Sequence, residues 1–169
     1  MIKNLVWLKK LAVKDRRSYL KSKEQFVLPI PFHPENSRFL LQLEEALTAK
    51  NQALVRLSAQ RLSHHLNQLL GVKFVELEIL EKRPSNSRGE LHGLYQAGGK
   101  LAVPRIRLWM RTAKRLQVVA FKTFLRTFIH EHLHHWDYHL LKLSNSYHTE
   151  GFYRRESDVL KQCYEWMGL

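Results

Sequence analysis

The chain has 169 residues, 44% of them hydrophobic and 25% charged, which is enough for one domain with a real core and excludes wholesale disorder. Lysine and arginine total 28 against 15 acidic residues, a formal net charge of +13, so a polyanion is the leading expected partner and a merely solubilising basic surface the plain alternative. The single cysteine, Cys163, excludes an intrachain disulfide and a cysteine-built zinc knuckle, and it fits a reducing compartment.

The N-terminus is basic, with Lys3, Lys9, Lys10, Lys14, Arg16 and Arg17, and its apolar run over residues 5–8 is far shorter than the core of a signal peptide. No later segment approaches the roughly 20 apolar residues of a membrane helix. The expectation is a cytoplasmic protein with no membrane association. Pro29, Pro31 and Pro34 prevent regular helix and make an extended connector. Residues 1–35 therefore read as a basic arm with a proline-rich connector, and residues 36–169 as a single domain.

Asn36 or Ser37 is placed to cap a helix. From Phe39 onward Leu40, Leu43, Leu47, Leu54, Leu57, Leu62, Leu66 and Leu69 recur at mostly three- and four-residue intervals, a helical period that Gly71 ends. One long helix or two, broken near Asn51, both satisfy the pattern. Residues 72–80 then alternate with β-branched enrichment and read as a strand. A turn-rich loop, "RPSNSRGE", precedes a short strand running toward Gly98 and Gly99, and residues 101–110 read as another strand. Pro104 cannot donate to a ladder, so that strand is expected to have a free or bulged edge, open to an added strand of substrate. Residues 116–143 contain no Gly or Pro and return to helical spacing, and a last helix is expected near residues 153–167. The fold class is α+β, a small antiparallel or mixed sheet packed on one helix, with an N-terminal helical region.

Residues 128–157 hold six of the chain's ten histidines. At about 100° per residue, Leu125, Ile129, Leu133, Trp136 and Leu140 form one apolar stripe. His130, Glu131 and His134 lie on an adjacent face. Two histidines at i and i+4 can turn their ring nitrogens to one metal while the glutamate projects beside it, the HExxH arrangement, here "HEHLH". His132, His135 and His139 fall on a third face and read as an ordinary wet surface. Asp137 is either a hydrogen-bonding support for a ligand imidazole or an exposed helix acid. A hydrolytic zinc site takes three protein ligands and leaves one position open. Leu140 excludes a third ligand two turns on, and His148, Glu150 and Glu156 remain.

HExxH followed by a loop and a third histidine with an aromatic four residues on ("HTEGF") resembles the SprT-like zinc metalloproteases. The Gly-containing strands before the helix are similar in kind, and the resemblance spans residues 91–160. It implies a zincin-like fold, Zn2+ as cofactor, His130, His134 and His148 as ligands, a peptide or protein substrate, and for some members action on DNA-associated proteins. The sequence differs in having Thr149 after the histidine, where Gly is commoner in the family. Glu156 is the competing ligand, as in zincins completed by a glutamate on the following helix; His148 is favoured because imidazole suits zinc and a flexible loop precedes it.

With zinc in place, Glu131 serves as general base and Tyr153, Tyr138 or Arg154 as the oxyanion partner. The basic run of Lys100, Arg105, Arg107, Arg111, Lys114, Arg115, Lys122 and Arg126 is the expected nucleic-acid surface. The rival class is a basic nucleic-acid-binding protein with a structural or vestigial metal site; a second is a hydrolase of non-peptide amides.

Overall fold

The leucine period after the proline-rich connector resolves into two helices in the computed structural model, which describes residues 3–87, 89–98 and 102–169. Among these residues there are six helices. The first two, α1 (Lys3–Lys10) and α2 (Val13–Glu24), form in the segment expected as a basic arm. α3 (Glu35–Thr48) and α4 (Gln52–Leu69) are separated at Asn51, whose side-chain oxygen accepts from the Leu54 amide at 3.2 Å. A short polar side chain there satisfies a donor that a continuous helix would not leave free.

The start of α3 corrects the sequence reading, because neither Asn36 nor Ser37 is its cap. Pro34 holds that position, and Asn36 is buried in the first turn, where its amide donates to the Pro31 carbonyl at 3.3 Å and its oxygen accepts from His65 Nε2 at 2.7 Å. The buried face of α4 is Val55, Ala59, Leu62 and Leu66, whereas Leu54 and Leu57 face solvent.

Among the described residues five strands follow these four helices. β1 (Glu76–Lys82) is followed by β2 (Ser85–Asn86) and β3 (Gly89–Glu90), which pair as a small hairpin inside the turn-rich loop. β4 (Gly93–Gln96) and β5 (Arg105–Arg111) complete a mixed sheet of order β1-β5-β4, with β5 parallel to β1 and antiparallel to β4. The free edge expected around Pro104 does not exist, since β5 is the central strand. Pro104 sits just before the ladder, where only its carbonyl is used, accepting from the Glu76 amide at 2.9 Å. The expectation at Gly99, Lys100 and Leu101 lies outside the described residues.

One face of the sheet carries Leu77, Ile79, Ile106, Leu108 and Met110 into the core. Its other face carries a charge ladder, Arg105 to Glu76 at 2.9 Å and Arg107 to Glu78 at 2.7 Å, extended by Arg111 to Glu81 at 2.7 Å. This alternation of apolar and charged residues gives a sheet covered on one side.

α5 (Phe121–His139) packs across β4 and β5 and against α6 (Glu150–Trp166). Leu125, Ile129, Leu133 and Trp136 are fully buried, as the stripe requires, and Trp136 Nε1 donates to Asn67 of α4 at 2.8 Å. α2 lies against α6, and the extended connector after it is tied to the same helix. The Leu28 and Ile30 amides donate to Asp158 Oδ2 and Gln162 Oε1, both at 2.9 Å. Among the described residues no helix is long and apolar enough to cross a membrane.

Candidate metal centre

His130 and His134 are one turn apart on α5, and His148 arrives from the loop between α5 and α6. The loop ends in Thr149, the N-cap of α6, whose hydroxyl accepts from the Phe152 amide at 3.1 Å, so His148 is held one residue from a fixed helix start. The ligand atoms of His130, His134 and His148 lie within 4.8 Å of one another. His148 Nε2 is 3.0 Å from His130 Nε2 and 3.1 Å from His134 Nε2.

Proton counting decides what these nitrogens present to each other. His130 Nδ1 donates to the Glu156 carboxylate at 3.0 Å, which leaves its Nε2 with a lone pair. Ser146 gives its only hydroxyl proton to Asp137 Oδ2 at 2.7 Å, so at 2.7 Å from His134 Nδ1 it accepts, and His134 Nε2 also carries a lone pair. His148 Nε2 can donate to at most one of them. Lone pairs converging on one point fit a cation. Burial and the neighbouring imidazoles push His134 down to about 3 and also lower His148, which keeps both neutral, as metal ligation requires. Phe152, fully buried, forms an apolar floor with its ring centroid 5.0, 4.8 and 5.0 Å from those of His130, His134 and His148.

The two other candidate ligands have different partners. Glu156 orients His130 and lies outside the trio, and Glu150 pairs with Arg154 at 2.9 Å.

Glu131 is 6% exposed and faces β4. Burial raises its pKa to about 7, against the lowering effects of His130 and of the Tyr95 backbone N–H, which donates to the carboxylate. A base poised near neutrality is suited to proton transfer. Gly93 makes this approach possible, since a Cβ there would clash with Glu131 Oε1 and fall 2.7 Å from Glu131 Cγ and Thr127 Cγ2. A cleft of about 670 Å³ runs past Gly93, Tyr95, Glu131, the three histidines and Tyr153.

The supposed wet face of α5 is buried at His132 and His135 and half-buried at His139. His132 donates from Nδ1 to the Phe128 carbonyl at 2.7 Å and accepts from Ser63 at 2.8 Å; His135 donates to the Lys73 carbonyl at 2.8 Å and faces the Tyr95 hydroxyl at 3.3 Å. Both have zero exposure, because α4 and the start of the sheet cover the side of α5 that the wheel assigned to solvent. Asp137, also fully buried, reaches His134 only through Ser146. Tyr138 and Tyr153 line the cleft, whereas Arg154, tied to Glu150 and set over the Phe26 ring at 4.7 Å, does not. Sequence reasoning gave no role to Ser146, Gly93, Tyr95 or Arg155, although it singled out the stretches that hold them: the Gly-containing strand before α5, the loop before His148 and the neighbourhood of Glu156.

Comparison with known proteins finds no matching family model, no matching curated protein and no matching solved structure.

Proposed function

We propose that the protein is a zinc-dependent metallopeptidase of the SprT-like, zincin kind, with His130, His134 and His148 as ligands and Glu131 as general base. One observation carries this: three imidazoles converge with nitrogens 3.0 and 3.1 Å apart, beside a buried glutamate that lies outside the ligand set. Nitrogen ligands about 2.0–2.1 Å from a tetrahedral zinc stand about 3.3 Å apart, close to these spacings. A purely structural site has no use for a base next to it.

Bound zinc would acidify water and polarise the substrate carbonyl. Glu131 takes the proton of the attacking water and delivers it to the leaving amine as the peptide C–N bond breaks. Tyr153, exposed at the cleft mouth, and Tyr138 are the candidate oxyanion donors. Substrate backbone is proposed to run along the outer edge of β4, in place of the β5 edge expected from Pro104, since β4 is a sheet edge and lines the cleft.

The net charge of +13 supports a nucleic-acid-associated role, and Lys9, Lys10, Lys14 and Arg17 on α1 and α2 are exposed. The arginines of β5 contribute less, because Glu76, Glu78 and Glu81 face them. Zinc content of the purified protein, with cleavage of an unfolded protein by the wild type and Glu131→Gln, tests the proposal.

A further inference from the structure

Behind the trio of histidines lies a chain of polar groups, buried at Arg155 and Asp137 and half-buried at Ser146, that no catalytic step requires. Arg155 and Asp137 have zero exposure, and Arg155 Nη2 donates to Asp137 Oδ1 at 2.8 Å. Asp137 Oδ2 accepts the Ser146 hydroxyl at 2.7 Å, and Ser146 Oγ accepts from His134 Nδ1 at 2.7 Å. Each link has a direction, and the guanidinium sets all of them. Arg155 has only donors, so the Asp137 oxygen toward it must accept, and an anionic Asp137 must accept at its other oxygen as well. Ser146 has then spent its proton, and His134 is left to donate.

The anchor of the chain is in α2. Arg155 Nη1 donates to the Ser22 and Gln25 carbonyls at 2.9 and 2.7 Å, and Nη2 reaches Ser22 Oγ at 3.2 Å. These carbonyls belong to the last turn of α2 and the residue after it, where helix acceptors lack intrahelical partners, so each side satisfies the other. Gly151 completes the joint, because a Cβ there would clash with the Ser22 carbonyl and fall 2.8 Å from those of Lys23 and Gln25.

We propose that Arg155, Asp137 and Ser146 are positioning residues that lock His134 in its Nδ1–H tautomer, leaving Nε2 as the metal-facing lone pair, with α2 holding the guanidinium in place. The inference deepens the proposed function but does not depend on catalysis. Reversing one link reverses the tautomer. In Asp137→Asn the amide oxygen faces Arg155 and the amide nitrogen donates to Ser146, which frees the serine proton for His134 Nδ1 and moves the imidazole proton to Nε2.

The experiment reads the His134 tautomer in the metal-free protein above neutral pH by long-range 1H–15N correlation, and zinc affinity by chelator competition. Wild type is expected as Nδ1–H. Ser146→Ala loses that preference and binds zinc about 10- to 100-fold more weakly, the range for removing a partner behind a metal-bound histidine. Ser146→Thr, which keeps the hydroxyl, restores both. Asp137→Asn, if it folds, appears as Nε2–H. Ser144→Ala, in the same loop but bonded to Ser18 and Asp15, is the control and changes neither reading. Wild-type His134 found as Nε2–H overturns the proposal, as does Ser146→Ala with unaltered tautomer and affinity, or an equal loss in Ser144→Ala. Wild type that is Nδ1–H yet binds no zinc supports the relay and removes the metallopeptidase instead.

Discussion

Gly93 and Glu131 pack so closely that the glycine has no room for a side chain, and the displaced atoms would be those of the carboxylate itself. The edge strand and the acidic side chain are thus fitted to one another. Gly93→Ala is expected to shift Glu131 or β4 by about 1 Å while leaving the metal-facing histidines in place. Peptide cleavage should fall about 100-fold, the scale of a misplacement near 1 Å, with zinc content unchanged. Equal loss of zinc and activity would argue against this division.

Glu131→Gln keeps the side chain's size and removes its capacity to take a proton. Cleavage of a peptide substrate is expected to fall by at least about 100-fold in a folded, zinc-loaded protein. Unchanged turnover would remove Glu131 from the mechanism.

His148 and Glu156 separate by degree. His148→Ala should abolish stoichiometric zinc binding, whereas Glu156→Ala, which frees His130 Nδ1 and the Arg126 guanidinium, should weaken it about 10- to 100-fold. Metal analysis after dialysis against graded chelator measures both. Full zinc in His148→Ala with none in Glu156→Ala would transfer the third position to the glutamate.

The histidines of α5 show what could be read from the sequence. Spacing alone placed His130, Glu131 and His134 together off the apolar stripe, because i and i+4 on a helix is a local relation. His132 and His135 were misread, because their burial depends on Ser63 and the Lys73 carbonyl, 69 and 62 residues away. The same holds for β5: its strand character was legible, but its central place was not, since that is set by pairing with β1. Ser146 and Arg155 carry no spacing signal of their own. Their roles arise only when α2, α5 and α6 meet.

Acid should destabilise the metal-free protein. Burial holds His132 and His134 near 3 and His135 near 4, all below the ordinary 6.5. The unfolded chain therefore binds more protons on these three histidines below pH 6.5, so their contribution is complete above that value and declines as pH falls toward 4; Glu131, raised to about 7, works in the opposite sense between 7 and 4.5 and offsets about one of the three. The limiting slope is about 1.4 kcal/mol per pH unit for each such histidine. Chemical denaturation midpoints between pH 7 and pH 4.5, with EDTA present throughout, check the sign. A flat profile would mean that these imidazoles are hydrated.

DNA binding, if electrostatic, must weaken with salt by about 0.9 log units in affinity per log unit of salt for each phosphate contacted. Replacing Lys9, Lys10, Lys14 and Arg17 by Ser should flatten that slope for a labelled duplex followed by anisotropy. Replacing Arg105 and Arg107 should leave it nearly unchanged, because each already faces a glutamate. No binding at low salt would reduce the net charge to a solubility feature.

The joint between α2 and Arg155 also orders events in time. Ser22 and Arg155 are 133 residues apart, so during synthesis α2 is made long before its acceptors have a donor. Until α6 has emerged, the last carbonyls of α2 rely on water, and its Ser18 and Ser22, buried in the finished protein, stay wet. α2, made well before α6, is thus among the last elements to be seated, and a ribosome stalled before α6 would carry a nascent chain in which α2 is still open to proteolysis.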